Sequence, residues 1–399
     1  MSLPEYVAIV VDKKEEIDEY LKGTLPKHSQ IFLVGDHEYG HPKVIVVKAD
    51  TTREIGGIVY KFMFDNRLVH IVCGEELKEV KDVIMGLIAL DKSFAFGNGG
   101  LASIENFWRN LKHIVDCPNS GSLKGLLKGK PCVLVSSGPS LDKNINVLKE
   151  YQDKVVIIAC GSAIGALHKQ GIVADYVVTV DPFQLLEDCI MPHVTEKTTL
   201  LTSVNTYHGL VDKFPGNKVF YYNSGSIAVA GDLIKYLDVS CGVYSSSTVT
   251  TPAFSLALFM DAAAIILIGQ DMCIYDDKVY ADGVLPDTIK DLHEVESIDG
   301  RKMMTYTTYK EVWNYFNILV PKIQGRDIVN ATENGLGVKG AKVMTLREAA
   351  EQYFIEDKPI LEISNSNVKK AELFEELKVI KFNLENLVKY IGFYKKYIN

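Results

Sequence analysis

The chain has 399 residues, 43 Lys and Arg against 51 Asp and Glu for a formal charge of −8, and 47% hydrophobic residues. That much apolar material excludes a disordered chain and, at ordinary domain sizes, makes two or three domains. The acidic balance excludes a partner held by neutralising many nucleic-acid phosphates, while leaving room for one local basic pocket.

Seven cysteines (Cys73, Cys117, Cys132, Cys160, Cys189, Cys241 and Cys273) form no CxxC pair, and several lie in apolar runs. The pattern reads as buried thiols of a cytoplasmic protein, not as a disulfide framework or a zinc site. Met1 to Val11 has no basic flank before its short apolar run, unlike a signal peptide. Ala253 to Gly269 is the most apolar stretch. Asp261 interrupts it, which predicts a buried helix followed by a buried strand and no membrane span.

In chain order, Tyr6 to Val11 reads as a strand and Lys13 to Leu21 as a polar helix. Ile31 to Val34 and Val44 to Lys48 read as strands, Thr52 to Phe64 as a helix, and Leu68 to Cys73 as a strand. Glu75 to Leu90 reads as an amphipathic helix opened by acids at its positive end. Residues 1–95 thus make a small α/β domain, with a boundary at Ala95 to Gly100. Helices are expected at Ser103 to Ile114 and Leu123 to Lys128, before the break at Gly129-Lys130-Pro131.

Strand and helix patterns then alternate. Strands are predicted at Cys132 to Val135, Val155 to Ala159, Tyr176 to Val180, Leu200 to Val204, Val219 to Tyr222 and Ala264 to Ile268. Helices are predicted at Leu141 to Tyr151, Ala163 to Lys169 and Thr251 to Met260. This alternation implies an α/β fold for residues 96–335: a Rossmann-like, mostly parallel sheet flanked by helices, with ligands at the carboxyl ends of its strands. Residues 336–399 form a helical C-terminal segment, with helices at Leu346 to Phe354 and Asn365 to Tyr390. Packing on the main domain and a homo-oligomer contact are both open for it.

The candidate chemistry sits in the turns after these strands. Ser136, Ser137, Gly138, Pro139 and Ser140 form a tight polar turn before a helix. Gly138 lets a ligand approach the backbone, and Ser140 is placed to cap the helix, whose free N–H groups suit a phosphate. An ordinary capped βα turn is the rival reading. No Gly-Lys-Ser/Thr follows, so it is not a Walker motif. Gly161 and Ser162 repeat the arrangement after the next strand, as a nucleotide floor or as close packing.

Asp181 and Asp271 end two strands. Each is a candidate for Mg²⁺, which takes oxygen ligands and bridges to substrate phosphates. Asp181 equally suits a ribose hydroxyl or a simple strand-ending turn with Pro182. A long polar stretch, Tyr275 to Arg301, reads as an active-site lid or a disordered loop. It contains His293, the candidate general base. Asn205 is placed to read a base or a sugar hydroxyl, and His208 to act as a donor. Tyr244, Ser245 and Ser246 precede the helix at Thr251 and suit an anionic or sugar ligand, or plain capping. Arg301, Lys302 and Arg326 are the basic candidates for phosphate clamps, and Thr305 opens a hydroxyl-rich segment.

Three segments together resemble the core of the MptE-like domain family over roughly residues 100–335. They are Leu134-Val135-Ser136-Ser137-Gly138-Pro139-Ser140-Leu141, Ala174-Asp175-Tyr176-Val177-Val178-Thr179-Val180-Asp181-Pro182 and Ile268-Gly269-Gln270-Asp271. The family includes bacterial motility accessory factors, implicated in glycosylating flagellin with nonulosonic acids, and archaeal 6-hydroxymethyl-7,8-dihydropterin pyrophosphokinases. Its core resembles Campylobacter-type sialyltransferases, which use CMP-activated sugar.

The resemblance implies that Ser136 to Ser140 hold a nucleotide phosphate and ribose. Ser137 stands where the sialyltransferases commonly carry Asn, so one amide contact is missing. It also implies a catalytic histidine in the region of His293, whose flanking residues do not match. The glycosyltransferase reading needs a nucleotide-sugar and an acceptor, possibly a protein. The diphosphokinase reading needs ATP and Mg²⁺ on Asp181 and Asp271. A non-catalytic nucleotide-sugar-binding protein is the third reading.

Overall fold

The computed structural model describes residues 6–23, 25, 28–49, 51–65, 70–73, 75–84, 98–223, 233–238, 243, 248–274, 278–282, 292–354, 357–359, 361–365 and 367–398. The chain divides into two compact units, Met1–Gly100 and Leu101–Asn399.

The first unit holds strands β1 (Tyr6–Val11), β2 (His28–Val34), β3 (Val44–Val47) and β4 (His70–Cys73), with helices α1 (Lys14–Lys22) and α2 (Thr52–Asp65). All pairings are parallel, in the order β3-β2-β1-β4. Successive β1 side chains enter opposite faces. Ala8 and Val10 join Phe32 and Val59 on one, and Val7, Ile9 and Val11 join Ile17 and Leu33 on the other. The helix expected from Glu75 begins as a 3₁₀ turn, Glu75–Leu77, and 78–84 is helical; its continuation to Leu90 lies outside the described residues.

The second unit opens with α3 (Asn98–Asp116). The Leu123 to Lys128 helix is not formed: a 3₁₀ turn, Ser120–Leu123, stands there, because Gly125 and Gly129 take φ of +72° and +76°. Strands β5 (Pro131–Val135), β6 (Val156–Cys160), β7 (Tyr176–Thr179), β8 (Thr199–Ser203), β9 (Lys218–Tyr221) and β10 (Ala264–Ile268) follow. Between them lie α4 (Leu141–Tyr151), α5 (Ile164–Lys169), α6 (Leu185–Ile190), α7 (His208–Lys213) and α8 (Thr250–Phe259). A short antiparallel hairpin, β11 (Leu292–Glu296) and β12 (Lys302–Tyr306), leads to α9 (Thr307–Leu319). Then come β13 (Asp327–Asn330), β14 (Lys342–Val343), α10 (Leu346–Tyr353) and α11 (Lys370–Ile398).

The large sheet has eight strands in the order β14-β13-β10-β5-β6-β7-β8-β9, all parallel. It is buried on both faces, as a parallel sheet must be. Cys132 and Leu134 pack with α8 and α9 on one side, where the Phe254 and Phe316 rings meet edge-on at 5.0 Å. Val133 and Val135 pack with α4, α5 and α10 on the other. Each such side chain contributes about 1.5–3 kcal/mol. The apolar run is the expected buried helix and strand, α8 and β10, turned by Asp261 at φ +63° with Arg326 Nη2 2.8 Å from its carboxylate. No described helix is long and apolar enough to cross a membrane.

Candidate functional site

Strand order reverses between β5 and β10. From β5 the chain proceeds through β6 to β9 in one direction; β10, β13 and β14 lie in the other. Such switch points open a crevice beyond the carboxyl ends of the strands. Two turns meet there, Ser136 to Ser140 after β5 and Gly269 to Asp271 after β10. Their backbones stay zipped past the sheet: Ser136 N–H donates to Ile268 O (2.9 Å) and Gly138 N–H to Gly269 O (2.8 Å). The approach demands glycine on both sides. A Cβ on Gly138 would stand 2.2 Å from Asp271 Oδ2, and one on Gly269, at φ +63°, would stand 2.1 Å from Ser136 O.

Side chains complete the closure. Ser136 Oγ donates to Gln270 Oε1 at 2.6 Å, with Thr250 Oγ1 at 3.2 Å and Cys160 Sγ at 3.7 Å. Gln270 N–H donates to Thr332 Oγ1 at 3.3 Å. Ser140 donates twice to Asp271 Oδ2, from its N–H at 3.1 Å and its hydroxyl at 2.7 Å. The expected Ser140 cap is therefore corrected. Ser140 has a helical φ of −65° and makes no side-chain capping bond, so Asp271 supplies the anionic partner at the start of α4. Asp271 is only 1% exposed, and its Oδ1 has no partner among the described residues. Burial pushes its carboxyl up to about 6, against the lowering effect of the Ser140 bonds.

The neighbouring turn joins in. Ser162 Oγ donates to Ser137 Oγ at 2.9 Å. Gly161 is closely packed, since a Cβ there would lie 3.2 Å from Ile190 Cδ1. Residues 278–282 fold back over the β5 turn. Ala281 N–H donates to Ser137 O (2.9 Å), Asp282 N–H to Asp142 Oδ1 (3.0 Å), and Lys278 pairs with Asp282 at 3.0 Å.

The remaining candidates lie elsewhere. Asp181 is exposed beyond β7. β7 is three ladder positions from β10, roughly 14 Å, so Asp181 and Asp271 do not meet on one ion. No group of three His, Cys, Asp or Glu suited to a metal occurs among the described residues. Asn205 follows β8 and is tied to the end of β7: Tyr207 N–H donates to Asp181 O (3.0 Å), and Asn106 Nδ2 reaches both Pro182 O (2.9 Å) and Asn205 O (3.2 Å).

His293 sits in the β11–β12 hairpin, so part of the expected loop is strand. Its Nε2 lies 2.9 Å from Thr307 Oγ1. Opposite it, buried Thr305 donates to Met272 O at 2.7 Å, anchoring the hairpin one residue past Asp271. The Arg301 guanidinium holds Asp299 (2.9 Å), Asn334 Oδ1 (2.9 Å) and Gly335 O (3.1 Å), so it braces the hairpin and does not act as a free clamp. Arg326 precedes β13 and bonds Asp261 and Leu258 O, which places it at the amino edge of the sheet, opposite the turns. Lys302 pairs with Glu294 at 2.9 Å. Tyr244, Ser245 and Ser246 lie outside the described residues.

The sequence reading missed Thr250, Thr332 and the structural role of Gln270, as well as Asn106 and Asn110. Asn110 Nδ2 donates to Val204 O (3.2 Å) and Thr206 O (2.8 Å). The four-residue spacing of the two asparagines on an amphipathic helix was the available signal.

The site thus belongs to a doubly wound α/β protein with a polar turn at its switch point. Residues 105–277 match the family model described as "6-hydroxymethylpterin diphosphokinase MptE-like". No curated protein matches. A Maf glycosyltransferase from Magnetospirillum magneticum AMB-1 is similar in structure, with a TM-score of 0.53 and 14% sequence identity over 94% of this chain. This chain spans 61% of that protein's length. At that identity the likeness is one of fold.

Proposed function

We propose that this chain binds a nucleotide-activated substrate at the β5–β10 switch point and transfers a sugar-like group from it to an acceptor hydroxyl. The zipped pair of turns, with buried hydroxyls, a buried carboxylate and a helix N-terminus converging on Ser140, is the observation that carries the reading. The MptE-like match and the Maf-like fold support it. The donor class is a nonulosonic acid on a nucleotide, the acceptor a flagellin-type protein, and the setting the cytoplasm.

In the proposed reaction the acceptor oxygen bonds to the anomeric carbon while the bond to the nucleotide phosphate breaks. His293, held near the site by its hairpin, takes the acceptor proton. Ser140 N–H and Oγ–H, which Asp271 now occupies, stabilise the departing phosphate after exchanging the carboxylate for it. The other main-chain donors of the turn, Ser136 and Gly138 N–H, keep it zipped. The raised pKa of Asp271 lets an incoming phosphate drive it to the neutral acid, removing the like-charge clash. Asp181, Gly161, Ser162 and Asn205 line the edge along which the nucleotide lies.

The name of the matched family model supports a second reading, diphosphate transfer from ATP. Mg²⁺ held jointly by Asp181 and Asp271 does not fit their separation.

A thermal-shift screen against CMP, CDP, UDP, GDP, AMP and ATP, with and without Mg²⁺, tests the choice. A cytidine-selective, Mg²⁺-indifferent shift supports the glycosyltransferase. An Mg²⁺-dependent ATP shift supports diphosphate transfer. Absence of any shift contradicts both.

A further inference from the structure

The start of α11 is docked on the second unit. Lys370 pairs with Asp116 at 3.0 Å, and Tyr236 OH donates to Glu376 Oε2 at 3.2 Å. Leu373 joins Phe107, Ile114 and Leu237 in the core. Cover then falls along the helix. Leu377 and Ile380 are only half-buried, and Lys381, Phe382, Asn383 and Glu385 are all exposed. The helix nevertheless continues to Ile398, about 27 Å beyond Ile380 by helical rise.

A helix of that reach is held by covering an apolar stripe, since helical hydrogen bonds alone are marginal in water. The sequence carries such a stripe. Leu373, Leu377, Ile380, Leu384, Leu387, Ile391, Tyr394 and Ile398 follow one another in alternating steps of four and three. They fill every a and d position of a seven-residue repeat, the pattern by which paired helices interlock. The exposures agree with that phase. Glu375, Lys378, Val379, Phe382 and Glu385 fall at the outward b, c and f positions, and each is exposed. Val379 and Phe382 are 52% and 63% exposed.

A stripe of this period fits another helix of the same period, and a second copy of the chain supplies one. Charge sets the direction. Lys389, Lys395 and Lys396 stand in the far half of α11, and no Asp or Glu follows Glu385. Two copies running the same way would hold Lys395 and Lys396 at one level. Running opposite ways, they separate those lysines, and Leu387 of each copy comes level with Ile391 of the other.

We propose that residues 380–398 of α11 pair with the same residues of a second copy as an antiparallel coiled coil. The first turns of each helix stay on their own unit, so the pairing leaves the β5–β10 crevice of each copy as it is.

Sedimentation velocity on the full chain tests this. Wild type is expected to pass from monomer to dimer between about 1 and 100 μM. Leu387→Asp with Ile391→Asp leaves monomer throughout, and melts as wild type does at a concentration where both are monomeric. Tyr394→Leu, which puts leucine at a d position, tightens the dimer about tenfold. Phe382→Asp, at an outward position, leaves it unchanged. Dyes joined to the C-terminus of each copy stand about 30 Å apart in the antiparallel pair, against about 10 Å side by side.

A wild type that stays monomeric at 100 μM overturns the proposal; its sedimentation with phosphatidylcholine–phosphatidylglycerol vesicles would then assign the stripe to a lipid surface. A dimer that survives the double substitution, or that Phe382→Asp abolishes, places the interface elsewhere and also overturns it. So does the short dye distance. A double variant that melts lower, with Tyr394→Leu leaving association unchanged, assigns the stripe to the chain's own fold and contradicts the pairing.

Discussion

The two units repeat one piece of topology with different chemistry. In the N-terminal sheet the order reverses between β1 and β4, as it does between β5 and β10 in the large sheet. Each reversal places two turns side by side. After β1 comes Asp12-Lys13-Lys14, with no glycine and no capping bond from Lys13. An exposed pair, Lys13 Nζ to Glu76 Oε1 at 3.1 Å, links it to the segment after β4. After β5 the link is buried, Ser140 to Asp271, with the glycines needed for the turns to touch. An exposed ion pair is already solvated and contributes little. A buried polar junction is sensitive to every atom in it. The switch-point topology alone therefore does not make a site; residues such as Gly138, Ser140 and Asp271 distinguish one crevice from the other.

The comparison breaks most readily at Gly138. Gly138→Ala drives a methyl group into Asp271 Oδ2 and Gly269 O, and a loss of about 3 kcal/mol is expected. Chemical denaturation checks it; unchanged stability would mean the turns are not zipped.

A pH series on Asp271→Asn gives an effect of similar size. The Asp271 carboxyl stands near 6 in the folded chain against about 4 unfolded. Between those values the folded state holds the proton more tightly, so this group's contribution to stability falls as pH rises from 4 to 6 and stays low above it. That decline is about 3 kcal/mol in wild type and is expected to vanish in the variant. Parallel stability–pH curves for the two would contradict the buried carboxyl.

Ser140→Ala removes one of the two bonds to Asp271 Oδ2 and is expected to cost about 2 kcal/mol. The same measurement after Lys13→Ala is expected to show no change in Tm and none in nucleotide binding. A large effect there would remove the distinction between the crevices.

Much of this architecture is legible in the sequence, because parallel strands buried on both faces are continuous apolar runs. The apolar runs mark Ala264 to Ile268 with its observed bounds, and β5 to β9 to within one residue at each end. The β11–β12 hairpin was hidden because charged residues alternate along Leu292-His293-Glu294-Val295-Glu296, which reads as loop when only Val295 of the five is buried. β13 was missed because it is four residues long and opens on Asp327.

The turns at the site were visible as glycine and serine clusters, but their partners were not. Ser136 meets Gln270 across 134 positions, and Ser140 meets Asp271 across 131. Nothing local marks such a pair; strand order creates it. The same holds for Arg326, a plausible clamp by residue type that the topology puts at the opposite edge.

Hydrogen–deuterium exchange, with and without the nucleotide that gives the largest thermal shift, tests the central claim most directly. Added protection is predicted at the amides of residues 136–138, 140–141 and 269–271, with 12–14 unchanged. Protection at 12–14, or none at the β5 and β10 turns despite bound nucleotide, would contradict the assignment of the site to the β5–β10 crevice.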